Sequence, residues 1–479
     1  MKKQLLASAL SLLVFFASCS KSDNGDDDGG IVNPVTGVVE VSGDITTATN
    51  WTADKIYLLK GNVFVTNNVT LTIAPGTIIK GDRGTKGTLI ITRGAKINAT
   101  GTATQPIVFT SNIVAGGRAP GDWGGLVLLG KGLNNLGTSV AIEGVSDATD
   151  KAKHGGTDNA DNSGVLKYVR VEYAGVALGP DNEINGVTFG SVGSGTTVEY
   201  VEVFRSGDDA FEWFGGAVNA KHLLAVSTWD DDFDTDNGFS GKIQFGIAQR
   251  LAGVADVSGS NGFESDNNST GVTTAPITSA TFSNMTILGP VVASSQPSIN
   301  ASYQHAAQIR RGSQISILNS VFAGYTEGVF YDDGLPASGA VSSSYLLNGS
   351  SVFANNLVAG TRTNAIKASN TTTLAAITAR MAENADVFTA DLYAAGIYTD
   401  ALKFSADQVA AARVGVPNFT LIANSPAAAG AAFTNGKVTD TFFEKVAYRG
   451  AFGATDWTAG WASYDPQTLP YTTPGAVTK

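Results

Sequence analysis

The fold is decided by the stretch Tyr200-Val-Glu-Val-Phe-Arg-Ser-Gly-Asp-Asp-Ala-Phe-Glu-Trp-Phe-Gly-Gly216, because its pattern returns further along the chain. His222-Leu-Leu-Ala-Val-Ser-Thr-Trp-Asp-Asp-Asp-Phe-Asp-Thr-Asp-Asn-Gly238 aligns with it without a gap, at an offset of 22 residues. A third copy, Gly262-Phe-Glu-Ser-Asp-Asn-Asn268, follows at an offset of 30, which an insertion of about eight residues explains. Repeats of this length with β-branched residues and glycine corners are typical of solenoids in which each repeat forms one coil. We therefore predict an all-β, right-handed parallel β-helix.

Residues at the same repeat position should touch, because stacked coils lie about 4.8 Å apart. The repeat thus predicts one aromatic column in the core and one column of acids beside it. The aromatic column is Phe211, Phe233 and Phe263, and the acidic column is Glu212, Asp234 and Glu264. Carboxylates at this spacing repel one another, and protonation, a basic partner or a divalent cation relieves the repulsion.

The density of acids indicates a hard cation, and Ca²⁺ is the first expectation. Asp232-x-Asp-x-Asp-x-Gly238 resembles a calcium loop, but its glycine stands one position later than in the EF-hand form and flanking helices are missing. The predicted metal ligands are Asp230, Asp232, Asp234, Asp236, Glu264 and Asp266. A solvated acidic face with hydrogen-bonded turns is the alternative.

Parallel β-helices in general resemble pectate lyases and polygalacturonases, which also use acids on successive coils. Catalysis is therefore an open alternative, by carboxylate pairs as in glycosidic hydrolysis or by calcium and a base as in a lyase. The candidate catalytic residues are Asp208, Asp209, Asp230, Asp231 and Arg310. Ala307-Gln-Ile-Arg-Arg-Gly312 can be aligned so that Ile309 follows the phenylalanine column and Arg310 follows Glu264, where it would cap the acidic column. The Gly-His-Gly expected of a polygalacturonase is absent, and the three histidines fit no proton relay.

Exposed aromatic side chains near the acids are candidates for stacking on sugar rings. Trp213 and Trp229 are predicted to face solvent in this role, whereas the phenylalanine column is predicted to be core. His222 aligns with Tyr200 and is expected to be packed or exposed rather than catalytic.

The N-terminus reads as an export signal. Lys2 and Lys3 precede an apolar run that is too short for a permanent membrane span, and residues 1–18 are predicted to be a signal peptide. Cys19, the single cysteine, stands where a bacterial lipoprotein is lipidated, so acyl chains there would anchor the protein. Residues 19–34 form a polar, acidic stretch that we predict to be a disordered tether.

Composition bounds the partners of the protein. The net charge is −11, and nucleic acid is excluded as a partner because a polyanion requires a basic patch. We assign residues 35–360 to the β-helix and residues 361–479 to C-terminal coils and a cap. Helices are expected at 373–384 and 405–413, and the aromatic residues of 441–461 are expected to close the end of the solenoid.

Four motifs carry a family resemblance: Gly121-Asp-Trp-Gly-Gly125, Gly207 to Gly216, Trp229 to Gly238 and Asp456-Trp-Thr-Ala-Gly-Trp461. They resemble those of right-handed parallel β-helix lipoproteins of the Bacteroidota, most of which have no assigned function. The resemblance implies a lipid-anchored protein of the outer membrane, facing the cell exterior. The first expectation of function is a calcium-binding adhesion module for glycans or a surface partner. The alternative is a calcium-dependent polysaccharide lyase or glycoside hydrolase.

Overall fold

The computed structural model describes residues 37–147, 149–179, 182–296, 298–334, 341–401 and 416–477. The chain from Val35 to Lys479 forms one compact unit. The predicted signal peptide, Cys19, the tether and the helix expected at 405–413 lie outside the described residues. Within the described ranges, neither helix has the length and apolar character that crossing a bilayer requires.

Three stacks of parallel strands form the body, which we call sheets A, B and C. Each sheet takes one strand, or part of a longer bent strand, from each successive coil. This arrangement is the predicted right-handed parallel β-helix, and the prediction of fold class is confirmed.

The strands of each sheet follow in chain order. Sheet A contains β2 (Thr49–Trp51), β4 (Thr70–Ile73), β7 (Lys96–Thr100), β22 (Thr281–Ser283), β25 (Ser316–Leu318) and β28 (Phe353–Ala354). Sheet B contains β5 (Ile78–Gly81), β8 (Ile107–Ser111), β23 (Thr286–Leu288), β26 (Val321–Ala323), β29 (Leu357–Ala359) and β31 (Val387–Thr389). Sheet C contains β6 (Thr88–Ile91), β9 (Gly125–Leu129), β15 (Val187–Gly190), β17 (Phe211–Phe214), β19 (Phe233–Asp236), β21 (Phe263–Ser265), β24 (His305–Arg310), β27 (Glu327–Asp332) and β30 (Ile366–Ala368).

Longer strands bend from one sheet into the next. Sheets A and B share β12 (Gly164–Glu172), β16 (Thr197–Phe204), β18 (Asn219–Val226) and β20 (Lys242–Gln249). Sheets B and C share β1 (Val38–Ile45) and β3 (Ile56–Val65). Among the described residues, three antiparallel strand pairs lie outside these sheets: β10 (Val140–Ala141) with β11 (Lys153–His154), β13 (Val176–Gly179) with β14 (Asn182–Ile184), and β32 (Tyr398–Asp400) with β33 (Asn418–Leu421). Short 3₁₀ segments cover Asp150–Ala152, Ala394–Gly396, Gly436–Val438 and Pro466–Thr468.

The register of the acidic coils agrees with the repeat. Phe211 pairs with Phe233, which pairs with Phe263, and all three side chains are fully buried. Their rings follow one another at centroid distances of 5.8 and 5.3 Å. The aromatic column is therefore confirmed as core.

A second column marks the corner between sheets A and B. Its members adopt left-handed φ angles and are Tyr168, Tyr200, His222, Phe245, Asn284, Asn319 and Asn355. Asparagine adopts this conformation more readily than most residues. The aromatic members stack instead, with rings 4.5, 4.3 and 5.3 Å apart along the column. His222 is thus packed, as expected, and burial lowers its pKa to about 4.

The C-terminal region contributes a helix to the core and an aromatic cluster to the flank of the solenoid. Helix α2 (Thr371–Glu383), which follows the short α1 (Ser342–Asn348), buries Ile377 and Met381 in the core and confirms the first predicted helix. The aromatic residues of 441–461 do not close that end: Trp457 and Trp461 pack beside Tyr200 on the flank of the solenoid. They belong to a cluster that covers the outer side of sheet B. That side carries apolar residues, which must be buried against another part of the chain.

Candidate functional site

An acidic cleft of about 260 Å³ lies on the outer side of sheet C and the corner that precedes it. Ten carboxyl side chains line the cleft: Glu143, Glu183, Asp208, Asp209, Glu212, Asp230, Asp231, Asp234, Asp256 and Glu264. Among the described lining residues, Arg310 is the single basic side chain. We call this region the acidic cleft.

The floor of the acidic cleft is the predicted acidic column. Glu212 pairs with Asp234 and Asp234 with Glu264 on adjacent strands of sheet C. Thr188 precedes Glu212 in the column, and Gln308 follows Glu264. Three successive coils therefore carry the floor acids. These acids point out of the solenoid, because the residues that alternate with them along each strand point into the core.

Another column, which we call the corner column, lies at the corner before these strands of sheet C and consists of Asp209, Asp231 and Asn261. The Asp231 N–H donates to Asp209 Oδ1 (2.7 Å), the Asn261 N–H donates to Asp231 Oδ1, and the His305 N–H donates to Asn261 Oδ1 (3.0 Å). Each side chain thus holds the corner of the next coil. Asn261 performs this structural task with a neutral amide, so the task itself does not require the charge of Asp209 or Asp231.

The walls come from insertions, in which the repeat does not set the direction of a side chain. The hairpin β13–β14 contributes Glu183, and the loop 251–260 contributes Asp256. The Ser258 Oγ lies 2.7 Å from both Asp230 Oδ2 and Asp256 Oδ2, which ties that loop to the corner. Glu143 follows hairpin strand β10. Insertions have no counterpart in other repeats, so no column placed these acids.

Burial and mutual repulsion raise the pKa values of the acids. Burial raises the pKa of Asp230 to about 6 and that of Glu264 to about 7. The pKa of Asp234 lies well above its usual range, first because of burial and then because of Asp209 and Glu264. The acidic cleft therefore retains protons near neutral pH unless another cation compensates the charge.

Three predicted metal ligands do not line the acidic cleft. Asp232 is fully buried and binds Arg250 through a 2.8 Å contact from Nε, because its side chain points to the inside of the corner. Asp266 pairs with Arg310 and Arg311. Asp236 accepts a hydrogen bond from the Asn237 N–H, and burial with repulsion from Asp266 raises its pKa to about 8. The resemblance of 232–238 to a calcium loop is therefore not matched by a convergent ligand set.

The two tryptophans that were predicted to stack on sugars differ in their exposure to solvent. Trp213 is fully buried between Phe189 and Phe239, at ring distances of 5.6 and 5.3 Å, so its prediction as a sugar-stacking residue is wrong. Its side chain points inward because it stands two residues after the core residue Phe211. Trp229 is 42% exposed and directly precedes the cleft residue Asp230.

The position of Arg310 is close to the predicted one. Gln308, rather than Arg310, pairs with Glu264 in the sheet, so the predicted register was wrong by two residues. Arg310 nevertheless contacts Glu264, and its Nε lies 2.8 Å from Asp266 Oδ1. The predicted contact with the acidic column is therefore confirmed.

The remaining histidines have structural environments. His154 is buried with its Nδ1 2.8 Å from Ser191 Oγ. His305 is buried with its Nε2 2.9 Å from Glu327 Oε2. Neither is among the lining residues of the acidic cleft.

A family model described as "Pectate-lyase like beta helix domain" matches residues 43–462. The chain belongs to this family. No curated protein sequence matches it significantly. Among solved structures, the Dettilon tailspike protein is similar, with a TM-score of 0.23, 9% identity and coverage of 67% of this chain and 62% of the tailspike chain. That TM-score supports no conclusion about function.

The acids of this pectate-lyase-like chain meet the requirements of a hard cation. Three groups have carboxylate oxygens within 4.8 Å of one another: Asp208, Asp209 and Asp230; Asp209, Glu212 and Asp234; Asp231, Asp234 and Glu264. Among the described residues, Asp230 Oδ1 and Asp234 Oδ1 are buried without a hydrogen-bond partner. Such oxygens are costly unless a cation or proton compensates them. The donor set therefore fits Ca²⁺, which takes oxygen ligands at flexible geometry.

Proposed function

We propose that the acidic cleft holds divalent cations, Ca²⁺ first, and that the protein binds acidic polysaccharides through them. The observation that carries the proposal is the convergence, among the described residues, of ten carboxyl groups on one cleft that a single basic side chain borders. Asp209 and Asp234 would each serve two of the three carboxylate groups. Bound cations would supply positive charge, to which the carboxylates of a uronic-acid polymer can bind.

Exposed apolar side chains at the rim support a carbohydrate ligand. Leu178, Trp229 and Val257 are 48%, 42% and 94% exposed, and each is next to a residue that lines the acidic cleft. Sugars present polar groups together with apolar C–H faces, and a tryptophan ring suits the latter. Trp229 is the stacking residue in this proposal. Membership of a pectate-lyase-like family also supports a carbohydrate-related role.

The test is a calcium titration of residues 35–479, which form one compact unit, followed by a polymer-binding assay. We expect Ca²⁺ binding by calorimetry and a raised melting temperature, both weakened in Asp234→Asn. Polygalacturonate or alginate should then bind with Ca²⁺ and be released by a chelator, whereas dextran serves as the neutral control. Absence of Ca²⁺ binding in the wild type would contradict the proposal.

A calcium-dependent lyase or a hydrolase is the second candidate. Arg310 borders the carboxylate groups, but a guanidinium that is paired with Glu264 and Asp266 keeps its proton, so Arg310 would bind a uronate carboxylate rather than act as the base of a lyase. The carboxylate oxygens lie within 4.8 Å of one another, which is nearer to the separation of the acid and the nucleophile in a retaining hydrolase than to the longer one in an inverting hydrolase. Incubation with uronic-acid polymers distinguishes the two reactions: a lyase yields an unsaturated product that absorbs in the ultraviolet, and a hydrolase yields new reducing ends only.

We also propose that lipid on Cys19 anchors the protein to the outer membrane, with the β-helix facing the cell exterior. The support is the signal-peptide pattern of residues 1–18, the position of Cys19 and the acidic residues that follow it. A surface partner, protein or polysaccharide, would then reach the acidic cleft. Cys19→Ala should abolish incorporation of labelled fatty acid, and externally added protease should degrade the wild type on intact cells.

A further inference from the structure

Arg310 forms an ion pair with one of the carboxylates that would bind the proposed cation. Its guanidinium contacts Glu264 Oε1, and Glu264 belongs to the group that also contains Asp231 and Asp234. The side chains of Arg310 and Glu264 are only 23% and 15% exposed, so water screens their attraction weakly. A cation at this group and Arg310 would therefore compete for the same carboxylate.

A second contact keeps Arg310 nearby after such an exchange. Its Nε lies 2.8 Å from Asp266 Oδ1, and Asp266 does not line the acidic cleft. Arg310 can thus lose Glu264 and keep a charged partner. A guanidinium has five N–H donors, so it can bind two acceptors at once. Arg310 can therefore release Glu264 while its backbone and its contact with Asp266 stay in place.

We propose that Arg310 is an internal competitor that sets the affinity of the acidic cleft for divalent cations. This inference rests on the proposed function. Arg310 compensates Glu264 while the group formed by Asp231, Asp234 and Glu264 holds no metal, and it lowers metal affinity by the free energy of the contact that must be given up. The acidic cleft is thereby tuned to bind cations where they are abundant.

Arg311 is the matched control. It also binds Asp266, but it has no contact with Glu264 and does not line the acidic cleft. Substitution of either arginine removes one positive charge from the same region. Only the substitution of Arg310 removes the competitor for Glu264, so the two variants separate competition from a general change in net charge.

The experiment is a calorimetric titration of the whole protein with Ca²⁺ alone, for the wild type, Arg310→Gln, Arg310→Lys and Arg311→Gln. We expect Arg310→Gln to bind Ca²⁺ about ten- to a hundredfold more tightly than the wild type, as expected for the loss of a charged contact of low exposure. Arg310→Lys, which keeps the charge but loses the forked contact, should be intermediate. Arg311→Gln should stay within about threefold of the wild type, because long-range charge effects are screened.

The outcomes separate the inference from the proposed function. If the wild type binds Ca²⁺ and Arg310→Gln binds it equally or more weakly, the competitor role is wrong and the proposed function stands. If Arg310→Gln and Arg311→Gln tighten binding equally, net charge alone is responsible and the inference is also wrong. If neither the wild type nor any variant binds Ca²⁺, both proposals fail. Should Arg310→Gln not fold, an affinity of Arg310→Lys equal to that of the wild type would overturn the inference.

Discussion

Replacing Asp231 by asparagine should stabilise the cation-free protein and weaken cation binding at the same time. The Asp231 side chain is buried, and its Oδ1 accepts a hydrogen bond from the Asn261 N–H. An asparagine keeps that acceptor, as Asn261 itself does for the His305 N–H. The substitution therefore removes a charge without removing the bond between coils.

The size of the effect follows from the distances. Carboxylate oxygens of Asp231, Asp234 and Glu264 lie within 4.8 Å of one another. Two full charges at that distance repel by about 3 kcal/mol at an effective dielectric constant of about 20, and shared protons reduce this value. We expect Asp231→Asn to raise the free energy of unfolding by about 1 to 3 kcal/mol without cations. Loss of one carboxylate ligand should weaken Ca²⁺ binding roughly ten- to a hundredfold.

Urea denaturation with a chelator measures the first effect, and Ca²⁺ calorimetry measures the second. Asp150→Asn is the control, because Asp150 is exposed and forms a surface ion pair with Lys153 at 2.9 Å. That control should change neither quantity. If Asp231→Asn also leaves both unchanged, the acids are a solvated face and the reasoning is refuted.

Four further predictions address the core, the rim and the C-terminal region. Trp213→Ala should lower the free energy of unfolding by about 3 to 5 kcal/mol in urea, because it empties a fully buried site, whereas Trp229→Ala should weaken polysaccharide retention and leave the urea midpoint unchanged. Burial raises the pKa of Asp386 to about 8, so the folded protein binds this proton more tightly than the unfolded chain. The free energy of unfolding should therefore fall as the pH rises from about 4 to about 8, and this fall should be smaller in Asp386→Asn. Melting temperatures measured across that pH range test this. Arg170→Met should speed proteolysis of residues 461–477, because the buried Arg170 donates to the Tyr471 hydroxyl (2.7 Å) and the Val477 carbonyl (3.1 Å); equal cleavage rates would contradict this.

The columns were predictable from the sequence because repeats of equal spacing impose a register. The offset of 22 residues places Glu212 beside Asp234, and the offset of 30 places Asp234 beside Glu264, as the sheet pairing has them. The same alternation in a strand could have corrected the interpretation of Trp213, which stands two residues after a predicted core phenylalanine. The prediction for Trp213 was wrong because it assumed that aromatic residues near the acids face solvent.

Features that depend on insertions or on distant parts of the chain were not predictable. Glu183 and Asp256 reach the acidic cleft from insertions, where no repeat sets the direction of a side chain. The packing of Trp457 and Trp461 on the flank depends on contacts across more than 200 residues of chain. The sequence did contain one signal of this packing. The strands of sheet B carry apolar residues on both faces, which is typical of strands that are buried on both sides.

The corner column gives the clearest physical argument that the acids serve more than the fold. Asp209, Asp231 and Asn261 each accept a backbone N–H from the next coil. Asparagine performs this task at 261 without charge, whereas two buried carboxylates at 209 and 231 add repulsion that destabilises the free protein. A feature that costs stability without improving the fold is typical of a binding or catalytic site. This cost in stability supports the proposal that the acidic cleft is a binding site.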